Sequence, residues 1–384
     1  MYITKVKLRN WRNFKKAEVP LSKILYMMGP NASGKSNFLD VFRFIRDIVD
    51  PKGGGIQKAV EDRGGISKLR SVYARKAPTI DIEIELGDFN TTEKCMPTWK
   101  YALSIISEGK GKQRPVIIKE IVVHNGKKII SRPNREDKKD PERLTQTFLE
   151  QISMNKDFRE IADFFSKVTY LHLVPQLLKF GDYSGSRHLS NDPYGQGFLE
   201  QISAVQKRTR DARLRRIEAI LKNVIPHFEG LRFVKDDKTG LPHIEMRYVH
   251  WRPNLSWQRE NQFSDGTLRL IGIIWTLLTT SNLILLEEPE LSLHVEIIRQ
   301  LPEIIYKTRK SRTKAGGQII ISTHSESLLE SKSIIGDYII LKPAGDGEGS
   351  IIELPTKDDI AALESGMSAA DILLPKTSES IGSV

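Results

Sequence analysis

Eight residues near the N-terminus have the types and the spacing needed to hold a triphosphate, and they read GPNASGKS at positions 29–36. The glycines of this motif let the backbone turn so that consecutive N–H groups point at phosphate oxygens. Lys35 reaches the terminal phosphates, Ser36 offers its hydroxyl to Mg²⁺, and the dipole of a following helix adds positive potential. The motif predicts a nucleoside triphosphate site made of Gly29, Pro30, Asn31, Ala32, Ser33, Gly34, Lys35, Ser36 and Asn37.

Two acids at the end of an apolar run form a second candidate, in LILLEEPE at 283–290. In a P-loop fold, a strand beside the P-loop strand delivers one carboxylate to the Mg²⁺ shell, and a following carboxylate can deprotonate the attacking water. Position assigns the metal role to Glu287 and the role of base to Glu288. Acids also end strands for solubility alone, so the pair by itself leaves both readings open.

A histidine and a serine-glycine turn complete the candidates. His324 ends the apolar run IIISTHS, where its ring N–H could bond to a γ-phosphate, although such a histidine is usually a polar strand end. Residues 263–269, FSDGTLR, form a polar turn at the start of the apolar stretch LIGIIWTLLT, which predicts a buried helix. The turn therefore lies at the N-terminus of that helix, where anions are favoured.

The elements that must position these motifs follow from hydrophobic periodicity. KILYMM leads into GPNASGKS and then into a helical pattern, which predicts a strand, a loop and a helix. TIDIEIELGDF alternates with period two, and Asn125-Gly126 marks a hairpin, so an antiparallel subdomain follows. Residues 51–76 are glycine-rich and basic and are interpreted as an irregular connector. One long helix is expected within 197–228.

The predicted organisation has four parts. Residues 1–134 hold the P-loop and the antiparallel β subdomain, and residues 135–228 form an inserted helical domain. Residues 229–375 contain the serine turn, the paired acids and the histidine, on strands that read as buried on both faces. Residues 376–384 form a flexible tail. The fold class is therefore α/β, a P-loop NTPase with a mixed sheet.

Composition excludes several classes. The 384 residues are 39% hydrophobic and 28% charged, with no apolar run long enough for a membrane helix. The start of the chain lacks a secretory signal, so we expect a cytoplasmic protein without membrane partners. A lone cysteine, Cys95, excludes an internal disulfide and a cysteine-based zinc site. The net charge of +11 favours a polyanionic partner.

The order of these motifs resembles the nucleotide-binding head of the ABC ATPase superfamily, in its SMC-like and RecF-like branch. The resemblance rests on ITKVKLRNWRNF, GPNASGKSNFLD, FSDGTLRL, LLEEPELSLH and ISTHSESLL, and it covers about 1–50 and 229–345. It implies the fold of an ABC or SMC-type head and the use of ATP with Mg²⁺. Compact ATPases of this kind look similar to AAA family ATPases of bacterial anti-phage defence and DNA-maintenance systems.

The resemblance also implies roles for individual residues. Ser264 and the N–H groups near Gly266 cap the γ-phosphate bound by the P-loop of a second molecule, so that two heads hold two ATP molecules between them. The expected assembly is a homodimer or a higher even oligomer. Lys35 and Ser36 keep their phosphate and Mg²⁺ roles, Glu288 is the base and His324 the γ-phosphate switch. Ser292–His294 lie in a loop that contacts the opposing subunit.

Two departures from the family pattern bear on turnover and coupling. The usual acid at position 287 is aspartate, and the side chain of Glu287 is one methylene longer. Its carboxylate therefore coordinates Mg²⁺ either directly, from a shifted position, or through a water molecule, and turnover can be slow. No glutamine can be assigned with certainty to the loop that couples the γ-phosphate to the other lobe. Gln57 is a candidate by position only.

Nucleic acid and a protein effector are the expected partners. The candidate phosphate contacts lie in KRTRDARLRR and SKLRSVYARK and comprise Lys207, Arg208, Arg210, Arg213, Arg215, Arg216, Lys68, Arg70, Arg75 and Lys76. A further basic run at 307–314 is read either as a contact or as a solvated helix end. The chain has no nuclease constellation of its own, so we expect it to control a separately encoded effector such as a nuclease.

Three other functions stay open at this point. An ATP-gated scaffold or toxin-regulating subunit would turn over little and bind no DNA directly. The ATPase subunit of a membrane transporter would associate with a permease. The serine turn, the inserted helices and the lack of an assignable coupling glutamine disfavour this function. A P-loop kinase would leave FSDGTLR and His324 without a purpose.

Overall fold

The computed structural model describes residues 1–74, 77–89, 95–109, 113–180, 192–249, 257–310, 317–331, 334–345 and 347–378. Its residues cluster into two compact units. Unit 1 comprises Met1–Val168, Gln318–His324 and Gly336–Val384, and unit 2 comprises Thr169–Gly317 and Ser325–Ile335. These units do not follow the boundaries drawn from sequence at 134 and 228, and those boundaries stay a prediction.

Runs of strands and runs of helices follow one another along the chain, and single strands and helices alternate between α9 and β14. In chain order the strands are β1 (Tyr2–Trp11), β2 (Phe14–Pro20), β3 (Ile24–Met28), β4 (Ile80–Phe89), β5 (Cys95–Ser107), β6 (Pro115–His124), β7 (Lys127–Arg132), β8 (Thr169–Leu171), β9 (Phe228–Lys235), β10 (Pro242–Tyr248), β11 (Gln258–Arg259), β12 (Ile284–Glu287), β13 (Ile319–Thr323), β14 (Asp337–Pro343) and β15 (Ser350–Glu353). The α-helices are α1 (Lys35–Ile48), α2 (Ile56–Glu61), α3 (Ile66–Leu69), α4 (Arg135–Lys139), α5 (Arg159–Ser166), α6 (Pro175–Phe180), α7 (Phe198–Ala204), α8 (Lys207–Val224), α9 (Asp265–Thr279), α10 (Val295–Lys310), α11 (Glu326–Leu329), α12 (Lys357–Glu364), α13 (Ala369–Leu373) and α14 (Pro375–Ser378).

Unit 1 contains an antiparallel sheet with the strand order β2-β1-β4-β5-β6-β7. The alternation in β4 is realised as predicted, since Ile80, Ile82, Ile84 and Leu86 are buried and the acids between them are half-buried. Asn125 and Gly126 join β6 to β7 with φ of 47° and 79°, the left-handed values that a tight two-residue hairpin requires. The predicted antiparallel subdomain is therefore present.

The P-loop strand of unit 1 lies in a group of parallel strands. β3 pairs in parallel with β13 on one side and with β14 on the other, and β15 adds an antiparallel edge. All five residues of β13 are buried, which is the continuous apolar pattern of a strand covered on both faces. Helix α1 packs aromatic side chains into the core, where Phe44 lies against Trp11 and Phe38 against Phe14.

Unit 2 is built around α9, on which all residues from Thr267 to Trp275 are buried, as the apolar run predicts. Strands β8 and β12 pair in parallel, and β11, β10 and β9 form a small antiparallel sheet in that order. Helix α8 packs on β9 and on α9 through buried residues that include Leu214, Ile217 and Leu221.

Several expectations about local structure were wrong. Residues 51–76 contain α2, α3 and a 3₁₀ turn at Val72–Ala74 because Ile56, Val60 and Ile66 find buried positions that anchor short helices. The single helix expected within 197–228 is two helices, α7 and α8, separated at Val205 and Gln206 by extended backbone. The flexible tail at 376–384 stays a prediction, since α14 ends at Ser378 and 379–384 lie outside the described residues.

Among the described residues, no helix combines the length and the apolar character that crossing a bilayer demands. The side chain of Cys95 and the basic residues Arg75 and Lys76 lie outside what the structure describes. So does the second half of the basic run at 307–314, whose first four residues are described at the end of α10.

Candidate functional site

The phosphate-binding motif occupies the connection between β3 and α1 in unit 1. The strand ends at Met28 and the helix begins at Lys35, so Ser36 and Asn37 fall in its first turn. The loop bends through left-handed backbone at Ala32 and Gly34, whose φ values are 62° and 99°. This is the strand, loop and helix arrangement that the motif requires.

The two glycines are needed for packing as well as for conformation. A Cβ at Gly29 would lie 2.2 Å from the carbonyl oxygen of Leu341, and a Cβ at Gly34 would lie 2.1 Å from Asn13 Nδ2. Asn13 is the residue that ties the loop to its surroundings, since its Nδ2 donates to Ser350 Oγ at 2.6 Å and its Oδ1 accepts from Asn37 Nδ2 at 2.9 Å. Asn13 lies within ITKVKLRNWRNF, but sequence reasoning gave it no role at the site.

Lys35 is held over the loop by main-chain oxygens. Its Nζ donates to the carbonyls of Gly29 at 2.8 Å and of Pro30 at 2.9 Å, and the residue is buried. Helix α1 has no side-chain cap and no acid in its first turn, so its dipole and its first N–H groups favour an anion. Ser33 Oγ is buried without a hydrogen-bond partner beside the same loop. These features fit the terminal phosphates of a nucleotide.

His324 leaves the parallel sheet at the same edge as the P-loop. In the register of the β3 and β13 pair, Thr323 stands opposite Met28, so His324 and Gly29 are the next residue on each strand. Neighbouring strands lie ~4.8 Å apart, which brings these two positions close together. His324 is exposed. The structure thus places the histidine beside the P-loop, while its role as a γ-phosphate switch stays a prediction.

The paired acids lie at the end of β12 in unit 2. Glu287 is the last strand residue, and its Oε2 accepts a hydrogen bond from the Tyr170 hydroxyl at 2.5 Å. Glu288 follows with a φ of 45°, which is left-handed and uncommon for a residue with a side chain. Its carbonyl oxygen accepts from Arg269 Nη2 at 2.9 Å, which fixes this turn to α9.

The serine turn begins α9. Ser264 is the exposed N-cap, and its Oγ accepts from the N–H of Thr267 at 3.2 Å and donates to Thr267 Oγ1 at 2.8 Å. The next residue, Asp265, receives Lys179 Nζ at 2.6 Å and Gln176 Nε2 at 3.3 Å. Lys179 was not a sequence candidate, since nothing near it in the chain forms a motif.

The serine turn packs directly on the loop that follows the acids. A Cβ at Gly266 would lie 2.4 Å from the carbonyl oxygen of Ser292, so only glycine allows this approach. Ser292 itself has a φ of 64°, and the loop continues through Leu293 to the exposed His294. Within unit 2, the two segments expected to face a second subunit therefore form one surface.

The basic candidates divide into exposed and packed residues. On α8, Lys207, Arg208, Arg215 and Arg216 are exposed, whereas Arg210 lies 3.8 Å from the ring centre of Phe233 and Arg213 lies 5.5 Å from that of Trp275. Burial lowers the pKa of the Arg213 guanidinium. Arg210 and Arg213 therefore have packing roles that sequence could not separate from phosphate contacts. In unit 1, Lys68 is exposed and Arg70 is half-buried.

The side-chain amide of Gln57 is engaged within unit 1, and its coupling role stays a prediction. Its Nε2 donates to the carbonyls of Pro115 at 2.9 Å and Thr145 at 2.7 Å, so the amide joins α2 to the antiparallel sheet region of unit 1. The structure gives no support to a γ-phosphate role for this residue.

The fold and the site together define an α/β P-loop NTPase of the SMC-head type, as the motifs predict. One similar solved structure is an SmcHead bound to the C-winged helix domain of ScpA, with 16% sequence identity, a TM-score of 0.54, and coverage of 94% of this chain and 99% of that chain. Another is an Smc head domain with an extended coiled coil, bound to the C-terminal domain of ScpA and derived from Pyrococcus furiosus, with 14% identity, a TM-score of 0.50, and coverage of 95% and 98%.

Similarity at these identities establishes the fold alone. The sequence itself matches, over residues 24–330, the family model described as AAA domain, putative AbiEii toxin, Type IV TA system. The chain belongs to this AAA_21 family of ATPase domains. Among curated proteins, no relative matches the sequence.

Proposed function

We propose that this protein binds ATP with Mg²⁺ at residues 29–37 and dimerises around the nucleotide through the Ser264 turn of a second copy. The supporting observation is the surface of unit 2 on which the exposed Ser264, at the N-terminus of a buried helix, packs against the loop at Ser292. A helix N-terminus that faces outward is an incomplete anion site, which a phosphate held by another molecule can complete.

In the proposed reaction, water attacks the γ-phosphorus and passes a proton to Glu288, while the bond from that phosphorus to the bridging oxygen breaks and ADP leaves. Lys35 neutralises charge that develops on the transferred phosphoryl group, and the His324 ring N–H donates to the same phosphate. Ser36 would hold Mg²⁺, which would supply further charge neutralisation on the phosphate oxygens. Such an ATPase is expected to work in the cytoplasm, where ATP is available.

Light scattering of the Glu288→Gln variant tests the dimer. Because the variant retains the phosphate-binding groups and loses the base, ATP should double its mass, whereas ADP should leave it unchanged. Lys35→Ala in the same background is the matched control and should stay at the mass of the unliganded form. An equal mass with and without ATP, under conditions where ATP is shown to bind, would contradict the proposed assembly.

We further propose that the dimer senses nucleic acid and controls a separately encoded effector such as a nuclease, in anti-phage defence or DNA maintenance. The family description, which names a putative AbiEii toxin and a type IV toxin–antitoxin system, supports a setting of this kind. Four exposed basic residues of α8, namely Lys207, Arg208, Arg215 and Arg216, are suited to binding backbone phosphates. Replacing all four with glutamine should reduce the slope of log affinity against log salt by ~0.9 for each duplex phosphate that the variant no longer neutralises. An unchanged slope would remove α8 from the interface.

A second candidate function is an ATP-gated scaffold or toxin-regulating subunit with little turnover. The observation in its favour is Glu287, which stands where the family usually has aspartate and is already bonded to Tyr170. Phosphate release separates the two functions. A wild-type rate well above that of Glu288→Gln supports the ATPase, and equal rates near background support the scaffold.

A further inference from the structure

One side chain from the turn between β1 and β2 contacts the phosphate loop, residues 29–34, within unit 1. Asn13 Nδ2 donates to the main-chain oxygen of Ser33 at 3.4 Å, and Asn13 Oδ1 accepts from Asn37 Nδ2 at 2.9 Å. Ser33 and Asn37 come immediately before and after Gly34–Ser36, the segment that contains the start of α1 and the lysine of the motif. The Asn13 amide therefore bonds to both ends of this segment.

Asn13 is itself held by the start of β15, which also belongs to unit 1. Its Nδ2 donates a second hydrogen bond to Ser350 Oγ at 2.6 Å, and its main-chain oxygen accepts from the N–H of Ser350 at 2.9 Å. A Cβ at Gly349 would lie 2.3 Å from that main-chain oxygen, so glycine is needed for this approach. Both hydrogens and the oxygen of the Asn13 amide are thus engaged, and its orientation is fixed.

The two residues before Asn13 contact helix α1 directly. Trp11 Nε1 donates to the main-chain oxygen of Asn37 at 2.8 Å, and Arg12 Nη2 donates to Asp40 Oδ2 at 2.7 Å. Trp11 and Arg12 therefore fix the turn against the helix, and Asn13 joins the helix to the loop.

The backbone conformation of the phosphate loop explains why such a contact is useful. Ala32 has a φ of 62°, a left-handed value that a residue with a side chain adopts only at an energetic cost. Such a conformation persists when neighbouring groups hold it. A loop that is already ordered loses little conformational freedom when its ligand binds, and this raises the affinity.

We infer that Asn13 is a positioning residue for the nucleotide, which holds Ser33 and Asn37 so that the phosphate loop is ordered before the triphosphate binds. This inference rests on the proposed function. Asn13 lies outside the phosphate-binding motif, and the β1–β2 turn and β15 bring its side chain to that motif.

Calorimetric titration with ATP tests the inference. In Asn13→Ala, the ATP affinity should fall about tenfold, the scale of one or two lost neutral hydrogen bonds, because the loop must now be ordered as the nucleotide binds. Asn10→Ala is the matched control, since Asn10 is a buried asparagine of β1 whose Nδ2 donates to the carbonyl of Thr79 at 2.8 Å. This control should lower thermal stability and leave the ATP affinity at the wild-type value. An equal loss of affinity in both variants would point to a general structural defect and contradict the inference.

A double-mutant cycle with Asn37→Ala gives a readout that a purely structural role would not change. Asn37→Ala removes the side chain that donates to Asn13 Oδ1, so Asn13→Ala should reduce the ATP affinity less in that background than in the wild type. Losses that combine as two independent effects would mean that Asn13 does not act through this contact, and would overturn the inference.

Ser350→Ala is a second variant, which keeps the Asn13 side chain and removes one of its two anchors on β15. The ATP affinity should fall about two- to threefold, because the amide is held less firmly against the loop. Wild-type affinity in Asn13→Ala overturns the inference, and Ser350→Ala decides in the same way if Asn13→Ala does not fold. Failure of the wild-type protein to bind ATP at all overturns the proposed function instead.

Discussion

Two helix N-termini in this protein face phosphate in the proposed function, and they are built in opposite ways. Helix α1 begins after Gly34, which is left-handed and supplies no side-chain cap, and its first turn contains no acid. Helix α9 begins after Ser264, whose hydroxyl already caps Thr267, and its first turn contains Asp265. The N-terminus of α1 thus offers its N–H groups to an anion, whereas at α9 the N–H of Thr267 is already bonded to the Ser264 hydroxyl.

This difference indicates which helix N-terminus should bind nucleotide without a second copy of the chain. At α1 the backbone, the helix dipole and Lys35 act together within one unit, so a triphosphate adds interactions and removes few. At α9 the Asp265 carboxylate opposes an incoming phosphate, and Lys179 offsets that charge. The α9 N-terminus should therefore be a weak anion site that acts only when a second copy presents the phosphate.

Removal of Lys35 should have the largest effect. Lys35→Ala deletes the ammonium that reaches the terminal phosphates and leaves the carbonyls of Gly29 and Pro30 without their donor. Loss of a charged hydrogen-bonding group of this kind costs about 3 kcal/mol, or roughly 100-fold in ATP affinity. Calorimetry of ATP binding measures this loss. Near wild-type affinity would show that α1 is not the primary site.

Blocking the α9 N-terminus should abolish assembly without affecting the first binding step. Ser264→Arg in the Glu288→Gln background places a large side chain on an exposed turn, so the fold should tolerate it. ATP affinity of the single copy should match the parent within about twofold, because the two helix N-termini are independent sites. The mass in ATP should remain that of one chain. Ser264→Ala is the milder control and should retain partial dimerisation.

The charge pair beside the serine turn should produce a smaller effect. Lys179→Ala exposes the phosphate of the second copy to an uncompensated Asp265 and should weaken ATP-dependent dimerisation about five- to tenfold, or ~1 kcal/mol. Asp265→Asn in the Lys179→Ala protein should restore the wild-type dimer constant, because it removes the repulsion itself. Sedimentation in ATP measures all three proteins. A double variant no better than Lys179→Ala would mean that the pair only supports the fold.

The same comparison explains what sequence could and could not predict. Three of the motifs are local patterns at strand ends, and hydrophobic periodicity was enough to place them. GPNASGKS follows β3, while LILLEEPE and IIISTHS contain β12 and β13. Tyr170 is separated from Glu287 by 117 positions, and Lys179 from Asp265 by 86, so only the tertiary fold brings them together. The short helices of 51–76 were missed because their few apolar anchors give no sustained period.

A third helix N-terminus, at α2, is satisfied in yet another way. Gly55 supplies no side-chain cap, and the N–H of Ile56 instead donates to Glu150 Oε2 at 2.7 Å, while Thr147 N donates to Oε1 at 3.0 Å. Burial raises the pKa of the Glu150 carboxyl to about 7, although both N–H groups act in the opposite direction. This cap is therefore an acid that titrates near neutrality, whereas α1 has no side-chain cap and α9 is capped by the hydroxyl of Ser264.

Titration of Glu150 should have the smallest effect on nucleotide binding, because it acts on folding stability, and its sign follows from linkage. Unfolded glutamate titrates near ~4.3, so between that pH and about 7 the folded state binds more protons than the unfolded state. The free energy of unfolding should consequently fall as pH rises through this window and level off above it, by at most about 4 kcal/mol at roughly 1.4 kcal/mol per pKa unit. The Glu150→Gln variant has no carboxylate to titrate, and its amide NH₂ group would face one of the two backbone N–H groups. It should therefore be less stable than the wild type at low pH, and this difference should shrink as pH rises. Denaturant unfolding of both proteins between pH 5 and 8 measures the difference, and parallel pH profiles would show that Glu150 does not titrate in this range.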